Sequence, residues 1–296
     1  MLSRTDSAEA LKVPVTQIPC GSANSMFSTI IKEFNCLTNA ENWKQIQIDC
    51  LNWIPKLNKV KHDGILFKLS NGQSRHSFLN TEFGMMALVD KTSEVLRFLG
   101  DIRFPLGSMY HLASMKFHKA TLYVLNTNDF VDAVQSAQDT ISNAEELKNN
   151  VTSISSAELN SIIKEFSIEL DPIRMDEAIS WKCIKGPFLS VYASIKRMIM
   201  LNVETDRDLK LANNFISLNY QDDQTTRLHQ LKLTRYLQNG VQLVNNISIK
   251  SIKSPAFVLL CPTESLFMID GESYYLRCVY GELQKEIFTT LAPDTL

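Results

Sequence analysis

Hydrophobic positions change period along the chain, and the change divides it. Near the start an apolar run, Val13 to Ile18, predicts a strand, and Met26, Phe27, Ile30, Ile31 and Phe34 then recur at helical spacing. Between them lies the small-residue loop Pro19-Cys20-Gly21-Ser22-Ala23-Asn24. A second amphipathic helix is expected from Glu41 to Trp53, with Trp43, Ile46, Cys50 and Trp53 on one side and Pro55 closing it. From Ile65 onward short β-type runs take over: Ile65 to Leu69, Thr121 to Leu125, Val241 to Ile249, Ala256 to Leu260 and Leu266 to Ile269. Such runs, separated by turns, predict a two-sheet sandwich.

Two stretches break that pattern. Residues 126–180 are polar, rich in Asn, Ser, Asp and Glu and without glycine, and read as an insertion between strands with a helix around Ala157 to Phe166. Phe188 to Leu201, with Lys196 and Arg197 among apolar residues, reads either as a core segment or as an amphipathic element touching lipid. There is no internal repeat.

The 296 residues are 45% hydrophobic, enough for one large or two modest domains, and the formal charge of −2 makes no electrostatic case for nucleic acid. Cys20, Cys36, Cys50, Cys183, Cys261 and Cys278 form no C-x-x-C pair, so a reduced, intracellular chain is the simplest expectation. The histidines at 62, 76, 111, 118 and 229 show no ligand spacing, and neither G-x-S-x-G nor H-E-x-x-H occurs. No run approaches the roughly twenty apolar residues that cross a bilayer, and the N-terminus lacks a signal-like apolar core.

Chemistry concentrates in residues 77–107. Asp90 follows Met85, Met86, Ala87, Leu88 and Val89, so a carboxylate beside hydrocarbon can receive a cationic head while its surroundings receive a chain. The same pattern also describes an ordinary helix-cap or strand-end acid. Arg97 and Arg103 flank Gly100 and supply forked, permanently charged donors of the kind that clamp phosphate, or a solvated surface pair. The loop at 19–24, leading into a helix N-terminus, is either an anion site or a plain turn. Asp270-Gly271 after alternating apolar residues predicts a hairpin turn.

In order and spacing these pieces resemble the sphingosine (sphingoid long-chain-base) kinases, within the diacylglycerol-kinase-like lipid kinases. The family's block reads SFL…WG-x-x-A-x-V-D…SE…R-x-x-G-x-x-R-F-x-L-G. Here Ser77, Phe78, Leu79, Gly84, Ala87, Val89, Asp90, Ser93, Glu94, Arg97, Gly100, Arg103, Phe104, Leu106 and Gly107 fall in register. The 19–24 loop resembles the family's P-x-G-S-G-N loop, with Ala23 in place of its second glycine, and Asp270-Gly271-Glu272 resembles its D-G-E. Two departures stand out: Leu88 replaces a second acid, and Asp222-Asp223-Gln224 replaces a more central Asp-Gly.

The resemblance implies phosphoryl transfer from ATP to the primary hydroxyl of a sphingoid base such as sphingosine, dihydrosphingosine or phytosphingosine. It assigns Asp90, with Asn80 close by, to the amino-alcohol head. Gly21, Ser22, Asn24, Arg97 and Arg103 fall to the nucleotide phosphates, and Asp270 with Glu272 to Mg²⁺, a hard ion that keeps several waters. The family's G/S-G-D-G motif, bearing the candidate general base, is expected ahead of Met1. Leu2-Ser3-Arg4 and Glu9-Ala10-Leu11 resemble the end of the helix that follows that motif. The expected fold class is α+β. Residues 1–56 would be a remnant of an α/β nucleotide-binding lobe, and 57–296 a mainly antiparallel two-sheet β-sandwich that holds the lipid. Cytoplasmic location and peripheral membrane contact follow from the same resemblance. The alternatives are a catalytically inactive lipid-binding or regulatory remnant, or a ceramide or diacylglycerol kinase relative; a neutral head group gains little from Asp90.

Overall fold

Strands form wherever the chain alternates and both faces find cover. The computed structural model describes residues 13–15, 17–18, 24–34, 57–126, 151–170, 179–200, 203–238 and 248–293. The first elements are α1 (Ser25–Phe34), β1 (Leu57–Leu69), β2 (Ser74–Ser77), β3 (Asn80–Gly84) and α2 (Met85–Val95). A 3-10 segment, Arg97–Ile102, leads into α3 (Arg103–Ser114), β4 (Thr121–Leu125), β5 (Val151–Ser155), α4 (Ser156–Lys164), β6 (Ser180–Lys185) and β7 (Phe188–Ser194). The remainder is β8 (Met198–Met200), β9 (Val203–Glu204), β10 (Ile216–Asp222), α5 (Arg227–Gln238), β11 (Lys250–Ser254), β12 (Ala256–Ile269) and β13 (Glu272–Pro293). The protein is α+β, built on one large antiparallel sheet.

That sheet forks. β12 and β13 pair from Ala256 opposite Glu282 to Ile269 opposite Glu272, with a register shift between Leu260 and Ser265. Pro262, which has no N–H to offer a ladder, falls inside the shift. On the other edge of β12, residues before the shift pair with β4 and residues after it with β3. One wing therefore runs β12-β4-β6-β5, and the other β12-β3-β7-β10-β11. The expected pair of strands at 256–260 and 266–269 is one bent strand, and the sandwich is a single hydrogen-bonded sheet folded over.

The wings close on a shared core. Leu122, Val124, Phe257 and Leu259 from one meet Phe83, Val191, Leu218 and Phe267 from the other, with Ile65 and Phe67 of β1 between. On the outer face of the β4 wing, Tyr123, Trp181, Val258 and Tyr280 are covered by Leu159 and Ile163 of α4. A reciprocal capping box between Ser155 and Glu158 starts that helix. The helix expected at 157–166 is thus present, and this part of the polar insertion is sheet and cover; residues 127–150 lie outside the described residues.

Other expectations shift. Phe188–Ser194 is a fully buried central strand and Ile195 after it is buried too, so the lipid-touching reading of that run is replaced by the core one. Among the described residues of the N-terminal run, Val15 makes a single parallel bridge, to Thr290, and Val13, Val15 and Ile18 are exposed. Most of the strand expected at 241–249 lies outside the described residues, as 239–247 do, and so does the helix expected at 41–53; the next described strand is β11 from Lys250. α1 buries its predicted face, with Met26 and Ile30 against Leu211 and Ala292 and with Val60 and Leu79 alongside.

A buried polar cluster fastens α1 to the sheet. Lys196 is fully buried, with Nζ 3.2 Å from His62 Nδ1 and donating to the Asp63 carbonyl at 3.3 Å. The Asp63 carboxylate accepts backbone N–H groups of Glu286, at 2.8 Å, and of Asn213. Burial pushes Lys196 down to about 7 and His62 down to about 3; Asp63 and Glu33 favour the ammonium. Glu33 of α1 also accepts the Leu211 N–H at 2.7 Å.

Gly84 sets where α2 starts. Its φ is +75°, and a Cβ there would lie 2.4 Å from the Leu189 carbonyl oxygen of β7. Gly84→Ala is therefore expected to cost more than about 2 kcal/mol, through both strain and overpacking, as read by chemical denaturation.

Candidate functional site

The left-handed turn at Gly84 drops the chain from β3 into α2, which lies over β3, β7 and β12. Met85 and Ala87 bury, and Met85 packs with Leu112 of α3 and Leu189 of β7. Chain direction reverses through the 3-10 segment, where Gly100 takes φ +61°. α3 then packs beside α2, with Thr92 Oγ1 2.8 Å from His111 Nε2 and Gly107 facing Val89. Asp90, Arg97 and Arg103 are thereby gathered on one helical hairpin.

Asp90 is half-buried there. Burial pushes its carboxyl above the ordinary range and the Glu94 carboxylate adds to this, while Arg103 and Arg97 pull the other way. Arg97 forms an ion pair with Glu94 on the surface, and Arg103 donates to the Ser93 carbonyl at 3.4 Å and stacks over Phe104. Among the described residues, no hydrogen bond or ion pair reaches the Asp90 carboxylate. It is a free acid in a partly dry setting.

The floor beneath it holds a residue that the family pattern does not mark. Asn80 Nδ2 donates to Glu82 Oε1 at 3.2 Å and lies 3.0 Å from the Tyr192 hydroxyl, to which it donates as well. Glu82 lies deep in the molecule yet still touches solvent, so it lines a recess. Burial, reinforced by the nearby Asp90 charge, pushes its carboxyl up to about 8. The signal for Glu82 was available as alternation: Asn80, Glu82 and Gly84 share one strand face, while Thr81 and Phe83 point into the core.

Asp270 and Gly271 form the β12–β13 hairpin turn, with φ of +49° and +84°. The Asp270 carboxylate reaches across to the β2–β3 connection. Its Oδ1 accepts Ser77 Oγ at 2.7 Å, Leu79 N at 3.2 Å and Asn80 N at 3.1 Å, and Oδ2 accepts Phe78 N at 3.2 Å. Burial still leaves its carboxyl raised, against the pull of those donors. Glu272 Oε2 accepts the Tyr274 hydroxyl at 2.8 Å. Among the described residues no three acids, histidines or cysteines group as a metal would require. Asp270 and Glu272 therefore do not by themselves fit as a magnesium site, since the carboxylate that would face the ion is occupied by backbone N–H groups.

Of the expected phosphate loop, Gly21 and Ser22 lie outside the described residues. Asn24 is buried with φ +50°, and its carbonyl accepts the Ser28 N–H at 2.8 Å as α1 begins. Phe27 N, in the same first turn, is taken by Gln17 Oε1 at 2.9 Å. Leu79 packs with α1 while its neighbour Asn80 faces Glu82, so the helix and the acid recess share one short segment of chain.

No family model matches the chain. Among curated proteins it is 29% identical to human sphingosine kinase 2 over 42% of this chain and 19% of that one. It is 26% identical to mouse sphingosine kinase 1 over 42% of this chain and 32% of that one. Its likeness to Arabidopsis thaliana sphingosine kinase 1 is weaker, 22%, but extends over 88% of this chain and 48% of that one. The chain thus spans less than half the length of these relatives. A solved structure provisionally assigned as a diacylglycerol kinase, from Bacillus anthracis str. Sterne, matches with a TM-score of 0.52 at 12% identity, over 99% of this chain and 74% of that one. The fold is therefore of the diacylglycerol-kinase-like class. Within that class, the curated relatives of this sequence are sphingosine kinases.

Two outcomes follow from the geometry. Asp270→Ala should release the Ser77–Asn80 connection, costing about 3 kcal/mol and increasing amide hydrogen exchange at Phe78, Leu79 and Asn80, whereas Asp270→Asn, which tolerates positive φ, should cost less. For Glu82, a carboxyl at about 8 folded against an ordinary 4.5 means that the folded state holds a proton the unfolded state releases. Its contribution to stability therefore falls as pH rises across that window. Relative to the parent, Glu82→Gln should gain stability in denaturant unfolding from about pH 5 to about pH 9.

Proposed function

We propose that this chain is the lipid-recognising part of a kinase that transfers the γ-phosphate of ATP to the primary hydroxyl of a sphingoid long-chain base. The observation that carries this reading is the Asp90 carboxylate, half-buried, without a hydrogen-bonding partner among the described residues, and set in a hairpin whose motif residues match sphingosine kinases in register. An ammonium group would restore the charged form of the acid, and a neutral ceramide or diacylglycerol head would not.

In the reaction, the hydroxyl oxygen bonds to the γ-phosphorus as the bond from that phosphorus to the β,γ-bridging oxygen breaks, leaving ADP. Such transfer depends on positioning and charge neutralisation. Asp90 and Asn80 orient the amino-alcohol, and Arg97 and Arg103 supply positive charge toward the phosphates. Proton removal is assigned to the family's acid in the G/S-G-D-G motif, which is not in this sequence. No step is derived through a metal at Asp270, whose carboxylate holds the Ser77–Asn80 connection. That commitment favours a second reading, a lipid-recognition unit without catalysis of its own.

Membrane contact at the cytoplasmic face is part of the proposal. Around the same hairpin Val95, Phe98, Ile102, Leu106, Met109 and Tyr110 are exposed, Phe98 by 80% and Val95 by 76%, beside Arg97. Apolar side chains with a cation nearby suit a bilayer surface, from which a lipid substrate would reach Asp90 directly. Among the described residues no helix is long and apolar enough to cross a membrane.

Sphingosine in detergent micelles should bind the chain, and both that binding and any transfer from labelled ATP should fall in Asp90→Asn, transfer by at least about a hundredfold. Absence of transfer with Asp90-dependent base binding would select the recognition-unit reading; absence of both would reject the sphingoid-base assignment. Phe98→Asp with Met109→Asp should weaken sedimentation with phosphatidylserine vesicles by about tenfold while leaving micellar transfer within about twofold.

A further inference from the structure

Cross-strand pairing lays out the face beneath α2 as a grid. Met268, Glu82, Tyr192, Asn219 and Ser251 stand directly opposite one another across β12, β3, β7, β10 and β11. On one side of this row lie Asn80, Ser194 and Ser217, and on the other Ser190 and Gln221. Their neighbours along each strand, among them Phe83, Val191, Leu218 and Tyr220, fill the core on the opposite face. The face toward the helices is thus polar and largely buried.

Most of these groups satisfy one another. Asn219 Nδ2 donates to Ser217 Oγ at 3.3 Å, Ser251 Oγ donates to Asn219 Oδ1, and Gln221 Nε2 donates to Ser248 Oγ at 3.3 Å. Glu82 does not follow suit. Its Oε1 takes Asn80, while among the described residues Oε2 makes no hydrogen bond. Two acids, Glu82 and Asp90, therefore face one recess with carboxyl oxygens unengaged. Burial, reinforced by the Asp90 charge, favours the protonated form of Glu82 near neutral pH. One negative charge and one neutral carboxyl match one ammonium and one hydroxyl, because the neutral acid both donates and accepts.

We propose that Glu82, with Asn80 and Tyr192, forms a second polar subsite beside Asp90 that receives a hydroxyl on the chain of the substrate, so that a 2-amino-1,3,4-triol base is preferred to a 2-amino-1,3-diol. This rests on the sphingoid-base reading above and adds to it the residue that selects among such bases. A diol places hydrocarbon where the triol carries its third hydroxyl, leaving Glu82 Oε2 and part of the polar floor dry and unpaired. The discrimination expected of one such group is about tenfold.

Calorimetric binding of the saturated C18 triol and diol bases, each in detergent micelles, to the whole chain tests this. The parent should bind the triol about tenfold more tightly. Glu82→Ala should weaken the triol about tenfold and the diol by less than about threefold, erasing the preference. Glu82→Gln, which can still donate and accept, should keep most of it. Asp90→Asn should weaken both bases alike. Equal weakening of the two bases by Glu82→Ala, or no triol preference in the parent, overturns the subsite while leaving the sphingoid-base reading intact. A parent that binds neither base overturns the reading, and the subsite with it. Thermal unfolding of each variant separates these results from loss of fold.

Discussion

The carboxylate of Asp270 holds the working end of this molecule in place. It sits at the left-handed turn joining the two longest strands and gathers the side chain of Ser77 with three successive backbone N–H groups. Without that acceptor the Ser77–Asn80 connection would leave its N–H groups unpaired in a half-buried place, at a cost of several kcal/mol in total. Everything that follows along the chain inherits its position from this anchor: Asn80 and Glu82 on β3, the turn at Gly84, and α2 with Asp90. Leu79, within the same connection, packs against α1, so the anchor also ties the N-terminal helix to the acid recess.

Electrostatics sharpens that recess. Burial and then the Asp90 charge raise the Glu82 carboxyl, burial and then the Glu94 charge raise Asp90, and Arg103 and Arg97 lie near enough to temper Asp90 without forming an ion pair with it. Burial pushes the Lys196 ammonium down to about 7, while the Asp63, Glu33 and Asp270 carboxylates pull the other way. Asp270 thus stands between a basic cluster, which fastens α1, and an acidic recess, which suits an amino-alcohol. An apolar fringe on the hairpin outside the recess, Phe98 and Met109 among it, gives a lipid a continuous route from a bilayer surface to Asp90.

Local pattern made much of this legible. The 77–107 block could be aligned residue by residue in part because two of its glycines have backbone duties: Gly84 and Gly100 take positive φ. Helix α4 and strand β4 were both expected from the sequence, and the Ser155–Glu158 capping box that starts α4 is seen in the structure. The break read at Cys261 to Ser265 did not end a strand, because a bulge can absorb a proline where the partner strand changes. Val13 to Ile18 read as a strand by composition, yet among its described residues Val15 alone makes a strand bridge, since an apolar run says nothing of whether an edge is free to receive it.

Local pattern in the chain sufficed for the α+β class, the face that α1 buries, the hairpin turn at Asp270-Gly271 and the spacing that collects Asp90, Arg97 and Arg103. These depend on residues within a few turns of one another, where the 3.6-residue and two-residue periods hold. It took the folded chain to show that Glu82 feels the Asp90 charge, that a polar grid from strands far apart in the chain floors the recess, and that Asp270 spends its oxygens on the Ser77–Asn80 connection. Period reveals which face a side chain occupies, but what stands opposite that face is set by strand pairing between distant segments.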